Sequence, residues 1–305
     1  MVETYRTSPL DYKKVLDNIV NGVAEYLVKN HIKTQVLGIS GGIDSTLCAA
    51  ICKMVYDKTS IPLIGASLPC STNEEVEIST AKLVGMEFCN DFKEINLQEL
   101  FVNVENVFNS FGLISTNVSQ GNIKARLRGN FLHNLASITN GIVIDTDNLT
   151  ECFLGFWTIA GGDEGELNPI GGLWKHEVYD LARYLKENHF KDSKALEQSI
   201  ALIPTDGNGV KAGGDLAQIA PGKTYDDVDE ILQAWVGLDS RIKEHVLHNY
   251  FDYGVFKALC EKHGYETVEA VIMRSVRSEF KRKHRPIVID IHRGLICDKS
   301  GNIIG

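Results

Sequence analysis

The sequence predicts an α/β protein, a parallel sheet flanked by helices with a helical C-terminal part. Three observations carry the expectation. Short apolar runs alternate with segments of helical period over the first half of the chain. A helix long enough to recross the sheet follows each of the first three runs, as right-handed crossovers and parallel pairing require. Past residue 175 the strand signal fades and helical segments dominate.

The elements follow in order. Residues 11–30 read as a lead-in helix. "TQVLGIS" (34–40) is a short buried strand, after which Leu47, Ala50, Ile51, Met54 and Val55 recur at helical spacing. "IPLIGASLP" (61–69) is a second strand. "STNEEVEISTAKLVG" (71–85) is a helix with a capping-box pattern, Ser71 to Glu74 or Thr72 to Glu75, and Gly85 at its end. "KEINL" (93–97) reads as a third strand and "QELFVNVENVFNSFG" (98–112) as a helix. "QGNIKARLRGNFLHNLASITN" (120–140) is a long helix closed by Asn140-Gly141, and "GIVIDT" (141–146) is a fourth strand. Helices are expected at 175–190, 224–237, 239–251 and 267–284. Between the first two lies "PTDGNGVKAGGDLAQIAPGK" (204–223), a Gly- and Pro-rich stretch of a length that compact domains keep for functional or disordered loops. With no repeat and no clean linker, one domain is expected over 1–305. Its α/β core reaches about residue 175, a mobile loop and C-terminal helices occupy about 176–285, and a tail runs from 286.

The bulk properties narrow the class. Hydrophobic residues make up 44% of the chain and charged ones 23%, as in soluble globular proteins. No apolar run approaches the roughly 18 residues of a membrane span. The N-terminus lacks the basic-then-apolar layout of a secretory signal, so a cytoplasmic protein without a membrane partner is expected. A net charge of −9 disfavours nucleic acid. The seven cysteines are scattered; Cys48 and Cys52 lack a second pair to complete a zinc site and read as reduced, mostly buried thiols.

"SGGIDST" (40–46) closes the first strand. Gly41 and Gly42 let the backbone bend tightly and approach a ligand. The helix from Ile43 presents unpaired N–H groups, which attract anions, and Ser40, Ser45 and Thr46 add hydroxyls. The result is a phosphate cradle. Asp44 would repel phosphate unless a cation intervened, and Mg²⁺ takes one or two carboxylates together with phosphate oxygens. The common P-loop is excluded because its Lys is missing. A tight Gly turn with Asp and Ser as caps is the plainer alternative. "DTDNLTE" (145–151) closes the fourth strand, and ligands of parallel sheets sit beyond such ends.

Ser-Gly-Gly-x-Asp-Ser resembles the loop of the N-type ATP pyrophosphatases, which split ATP between its α and β phosphates. "GNIKARLR" (121–128), "DTDNLTE" (145–151), "NPIGGLWK" (168–175), "YDDVDEIL" (225–232) and "EFKRKHRP" (279–286) follow it in order. Together they resemble the ammonia-dependent NAD⁺ synthetase family over residues from about 10 to 286. The resemblance implies a Rossmann-like sheet of the adenine nucleotide alpha hydrolase type. It implies that Ser40, Gly41, Gly42, Ile43, Asp44, Ser45, Thr46 and Leu47 form the ATP phosphate loop, with Thr146, Lys175 and Thr205 also on ATP. Asp44 and Glu151 would hold Mg²⁺, and Asp44 and Lys175 would be catalytic. Arg126, Glu166, Phe280 and Lys281 would face deamido-NAD⁺. The reaction would join ammonia to deamido-NAD⁺ through an acyl-adenylate, giving NAD⁺, AMP and pyrophosphate. Gly207, Gly209, Gly213 and Gly214 would lend flexibility to a lid over 205–214, and Asp163 or Glu164 would take the ammonium proton. A homodimer is implied, and no built-in glutaminase domain is expected.

The chain departs from the family pattern at Asp145 and Asn148 in "DTDN", at Ile159 in place of a Lys, at Glu166 in place of an Asp, and at Phe280 in place of a His. Most of these positions are expected on the dinucleotide or ammonia side. Plainer readings stand beside the roles. Glu151 and Asp147 suit the first turn of a helix, Arg126 and Arg128 a solvated helix face, Lys175 an ordinary surface lysine, and "KRKHR" (281–285) a solvated helix end. Two further functions remain open: a nucleotide-binding protein with altered catalysis, and a pyrophosphatase-type ligase acting on another carboxylate or base.

Overall fold

The computed structural model describes residues 10–162, 165–203, 215–248, 251, 254–282, 288–289 and 296–297. The α/β part begins with α1 (Tyr12–Lys29), whose first turn is capped by the Asp11 carboxylate accepting from Lys14 N. The order continues through β1 (Thr34–Gly38), α2 (Ile43–Thr59), β2 (Leu63–Ser67), α3 (Glu75–Phe88), β3 (Asp91–Glu94), α4 (Gln98–Ser110), α5 (Asn117–Thr139) and β4 (Gly141–Ile144). After β4 come α6 (Leu149–Leu154), α7 (Lys175–Asn188), α8 (Lys194–Ala201), a 3-10 turn (Asp215–Gln218), α9 (Tyr225–Val236), α10 (Ser240–His248), α11 (Gly254–His263), α12 (Tyr265–Arg277) and α13 (Glu279–Arg282). Two short strands, β5 (Val288–Ile289) and β6 (Ile296–Cys297), pair antiparallel.

The strand order is β3-β2-β1-β4, and every pair is parallel. β1 therefore has its sequence neighbour on one side and β4 on the other. That reversal opens a crevice between the carboxyl ends of β1 and β4. The core on one face joins β1 to α1, α2, α7 and α8 through Leu16, Leu27, Leu37, Leu47, Ile51, Val55, Leu181 and Leu196. Each such fully buried aliphatic side chain contributes about 1.5–3 kcal/mol. A second core, built on α9, α11 and α12, takes in Leu154 from α6 and Trp174 just before α7. α6 and the start of α7 thus lie where the two cores meet.

Several boundaries differ from the sequence expectation for physical reasons. α3 starts at Glu75, with Glu77 reaching back to Glu74 N, rather than with a box on Ser71 or Thr72. Residues 70–73 are instead drawn into a turn, with Asn73 N donating to Cys70 O and Cys70 N to Asn73 Oδ1. Gly85 lies inside α3, not at its end; a Cβ there would meet the Phe92 ring at 2.3 Å, so the glycine admits that ring. The helix expected over 267–284 breaks at Ser278, whose hydroxyl donates to Phe153 O and Ser275 O. Among the described residues no helix is long and apolar enough to cross a membrane.

Candidate active site

The cradle forms where β1 ends. Gly41 has φ +87°, and a Cβ on it would stand 2.3 Å from Glu77 O, so this bend excludes a side chain on two counts. Gly42 is the N-cap of α2 and supplies no side chain to the helix N–H groups, which leaves those donors for a ligand. The hydroxyls are mostly used internally. Ser45 Oγ donates to Gly42 O and meets Ser40 Oγ at 3.1 Å. Thr46 is fully buried, its Oγ1 near Gly42 O and 2.7 Å from Ser199 Oγ on α8. Ser40 is the exposed member of the three. Ile43 and Leu47 place their side chains in the core, so the Leu47 side chain does not face a phosphate.

Asp44 projects from the first turn of α2 toward the end of β4. Asn148 Nδ2 donates to Asp44 Oδ1 at 2.8 Å. The same Asn148 caps α6, its Oδ1 accepting from Glu151 N while Glu151 Oε2 accepts from Asn148 N. Asn148, one of the departures from the family pattern, thus links two carboxylates. Lys175 completes the group. Its Nζ lies 2.5 Å from Asp44 Oδ2 and 2.8 Å from Glu151 Oε1, and the residue is 1% exposed. It is no surface lysine. The Tyr225 ring covers it, 5.5 Å from ring centroid to Nζ.

The electrostatics follow from two half-buried carboxylates facing one buried ammonium. Burial and the neighbouring Asp44 charge push the Glu151 carboxyl up to about 7. Burial alone would pull the Lys175 ammonium down, yet Asp44 and Glu151 hold it well above the usual lysine range. Among the described residues no three His, Cys, Asp or Glu side chains converge as a metal group. The two carboxylates nevertheless each turn one oxygen to the Lys175 ammonium beside an anion cradle, and both are hard oxygen donors. That set fits Mg²⁺, which draws its other ligands from phosphate and water.

The remaining site residues lie apart from this cluster. Thr146, half-buried, sits at the end of β4. Arg126 is exposed on α5 and its Nε donates to Ile159 O, whereas Arg128 is half-buried and clamps Leu68 O and Asn73 Oδ1. Arg128 is therefore no part of a solvated face. Glu166 accepts from Val143 N at 2.8 Å and pairs with His133 Nδ1 at 3.0 Å. Lys281 Nζ donates to Gly155 O at 2.7 Å and Trp157 O at 2.6 Å. Arg282 and Arg274 reach Phe153 O and Leu154 O, so three cations bind carbonyls at the C-terminal end of α6. The start of "KRKHR" is thus turned inward rather than solvated. Phe280 is 56% exposed. Thr205 with its loop 205–214, Asp163 and Glu164 lie outside the described residues.

Sequence reasoning gave no role to Asp229, which is fully buried and accepts from Thr150 Oγ1, His176 N and His176 Nδ1. The available signal was one carboxylate on the apolar face of a helix, beside Val228, Ile231 and Leu232. Cys48, Cys52, Cys70, Cys89, Cys152 and Cys260 are free thiols, and burial pushes Cys48 and Cys52 far above the range in which a thiolate forms.

A parallel sheet with an anion cradle at its reversal point, facing two carboxylates and a buried lysine, defines a nucleotide-binding α/β protein. Comparison with known proteins gives the family. The family model described as NAD synthase matches residues 15–284, and the chain belongs to that family. NH(3)-dependent NAD(+) synthetase of Campylobacter jejuni (strain 81116) is 31% identical over 193 residues, covering 62% of this chain and 74% of that protein. The Fusobacterium nucleatum protein of the same name is 27% identical over 289 residues, 93% of this chain and 98% of that protein. A solved structure of NMN synthetase from Francisella tularensis overlays with a TM-score of 0.71 over 92% of this chain and 99% of that one; at 23% identity it shows the fold.

Proposed function

We propose that the chain joins ammonia to the nicotinate carboxylate of deamido-NAD⁺ at the expense of ATP, giving NAD⁺, AMP and pyrophosphate. The observation that carries this reading is Lys175 held between Asp44 and Glu151 beside the Gly41–Gly42 bend. A carboxylate oxygen leaves too poorly for ammonia to displace it at neutral pH. Attack of that oxygen on the α-phosphorus of ATP turns it into AMP, a good leaving group. The negative charge then moves onto pyrophosphate, where the α2 N–H groups and Lys175 would stabilise it. Mg²⁺ supplies further neutralisation of the departing pyrophosphate when bound, and Asp44 and Glu151 are the residues that would hold it. Ammonia attacks the acyl carbon of the adenylate and AMP departs. No protein nucleophile is required.

Thr146 would meet the adenosine part and Thr205 the phosphates, while Arg126, Glu166 and Lys281 would face the dinucleotide. Engaging the dinucleotide would release Arg126 and Lys281 from carbonyls they now bind. We place the enzyme in the cytoplasm, using free ammonia, as a homodimer. The exposed apolar side chains Phe111, Leu113 and Ile114 between α4 and α5, with Val118 in the first turn of α5, would suit a second copy.

A second reading is favoured by the substitutions at Ile159 and Phe280, which leave an aliphatic and an exposed aromatic residue where the family pattern has Lys and His. Fewer polar groups for the far half of a dinucleotide would suit nicotinate mononucleotide as the carboxylate. The test is pyrophosphate release from MgATP and ammonium with deamido-NAD⁺, with nicotinate mononucleotide, and with neither. Release that requires deamido-NAD⁺ supports the first reading and a preference for the mononucleotide the second. ATP bound without turnover on either contradicts both.

A further inference from the structure

We propose that Asp229 is a positioning residue, which fixes the N-terminus of α7 and thereby the reach of Lys175 to Asp44 and Glu151.

From its own side chains α7 has only Glu177 as a cap, whose Oε2 accepts from Trp174 N at 2.8 Å. Trp174 is its N-cap, and an indole only donates hydrogen bonds. The first N–H groups of the helix are satisfied from elsewhere. Lys175 N donates to Thr150 Oγ1 at 2.9 Å, and His176 N to Asp229 Oδ2 at 2.9 Å. Thr150 Oγ1 in turn donates to Asp229 Oδ1 at 2.5 Å, and His176 Nδ1 lies 2.8 Å from Asp229 Oδ2. One carboxylate on α9 therefore holds α6 through Thr150 and α7 through His176. Thr150 immediately precedes Glu151, and Lys175 immediately precedes His176, so both active-site side chains leave the backbone one residue from an atom Asp229 restrains. Tyr225 stands one helical turn before Asp229 on α9, and its ring covers the Lys175 ammonium. The "YDDVD" spacing thus puts both contacts on one face.

Asp229 and Thr150 are fully buried. A buried carboxylate is an expensive way to stabilise a fold, and apolar replacements are often no less stable. What it supplies is direction. It takes donors from two helices at once, and its charge lies at the positive end of α7. Asp229 contacts Thr150 and His176, and it is through these two that it acts on Glu151 and Lys175.

The experiment uses the full chain as wild type and as Asp229→Asn, Thr150→Val and Thr150→Ser. Affinity for Mg²⁺ with α,β-methylene-ATP, which cannot be cleaved at the α–β bond, is measured by calorimetry per mole of folded protein. Steady-state kcat and KM are measured beside it. Asp229→Asn and Thr150→Val are expected to weaken the analogue about tenfold, the loss of a charge-assisted contact. Their kcat should fall about 100-fold, the effect of a misplaced group, with KM for carboxylate and ammonium within about twofold of wild type. Thr150→Ser keeps the bridging hydroxyl and should restore both readouts to within about threefold. The proposal is overturned if Thr150→Val keeps both analogue affinity and kcat within about threefold, or if Thr150→Ser is as impaired as Thr150→Val. Should Asp229→Asn fail to fold, the Thr150 pair decides. The kcat arm rests on the proposed function, whereas the analogue arm does not. A wild type that binds the analogue but forms no amide contradicts the function and leaves the affinities to judge Asp229.

Discussion

Lys175 Nζ lies 2.5 Å from Asp44 Oδ2, although the two residues are 131 positions apart in sequence. Asp44 leaves the first turn of α2 and Lys175 the first turn of α7, so two helix N-termini converge on one buried ion pair. Glu151 brings a third N-terminal turn to the same point. The site is a meeting of helix starts, each with its positive pole toward the place where phosphate charge would sit.

Replacing Lys175 by Ala should lower kcat for pyrophosphate release by about 10²- to 10³-fold, the typical loss of a preorganised charge-stabilising donor. It should also lower stability, because two half-buried carboxylates lose their cation. Steady-state assays and urea unfolding check the two halves separately. A rate within about tenfold of wild type would remove Lys175 from the chemistry.

Gly41→Ala tests the cradle. Its φ of +87° and the 2.3 Å approach to Glu77 O leave no room for a methyl group. Destabilisation of about 1–3 kcal/mol is expected from the strain, together with loss of MgATP affinity. Unfolding curves and calorimetry read both; unchanged nucleotide affinity in a folded variant would show that the bend does not touch phosphate.

His176 gives the protein a pH-dependent contribution to stability. Its hydrogen bond to Asp229 outweighs burial and, with the charges of Asp229, Glu177 and Asp226, raises the imidazole above its usual range. The folded state thus binds this proton more tightly than the unfolded state does. The contribution is complete below about pH 6.5, the unfolded value, and declines as pH rises through the raised folded value. The difference in urea midpoint between wild type and His176→Gln should therefore shrink as pH increases from 6 toward 9. A difference that grows over that range would contradict the assignment.

Lys281→Ala should raise KM for the carboxylate substrate roughly tenfold while leaving KM for MgATP unchanged, as the loss of one charged hydrogen bond predicts. Arg282 supplies the control. It binds Phe153 O and Ser275 O, so Arg282→Ala should loosen α6 and lower stability without that selectivity. Equal weakening of both substrates by Lys281→Ala would mean that Lys281 only supports α6.

The apolar runs around Val36, Ile64 and Val143 and the helical period after Ile43 are visible without coordinates, because buried parallel strands and their crossovers leave a periodic trace. The cradle is visible for the same local reason: Gly41, Gly42 and Asp44 are contiguous. α6 was not, since its six residues are too few to show a period. The break at Ser278 depends on Phe153, 125 residues away, and the admission of Phe92 at Gly85 depends on a neighbouring strand. Asn148, Asp229 and the inward turn of Lys281 are likewise set by tertiary contacts. Sequence spacing could mark "DTDN" and "YDDVD" as unusual but not say what their side chains meet.

The most direct measurement follows an oxygen atom. Deamido-NAD⁺ labelled with ¹⁸O in its nicotinate carboxylate is turned over with MgATP and ammonium, and the products are weighed by mass spectrometry. Attack on the α-phosphorus carries one labelled oxygen into AMP, with none in pyrophosphate. Label in inorganic phosphate with ADP as the other product, or unlabelled AMP formed together with NAD⁺, would contradict the chemistry assigned to the Gly41 bend, Asp44, Glu151 and Lys175.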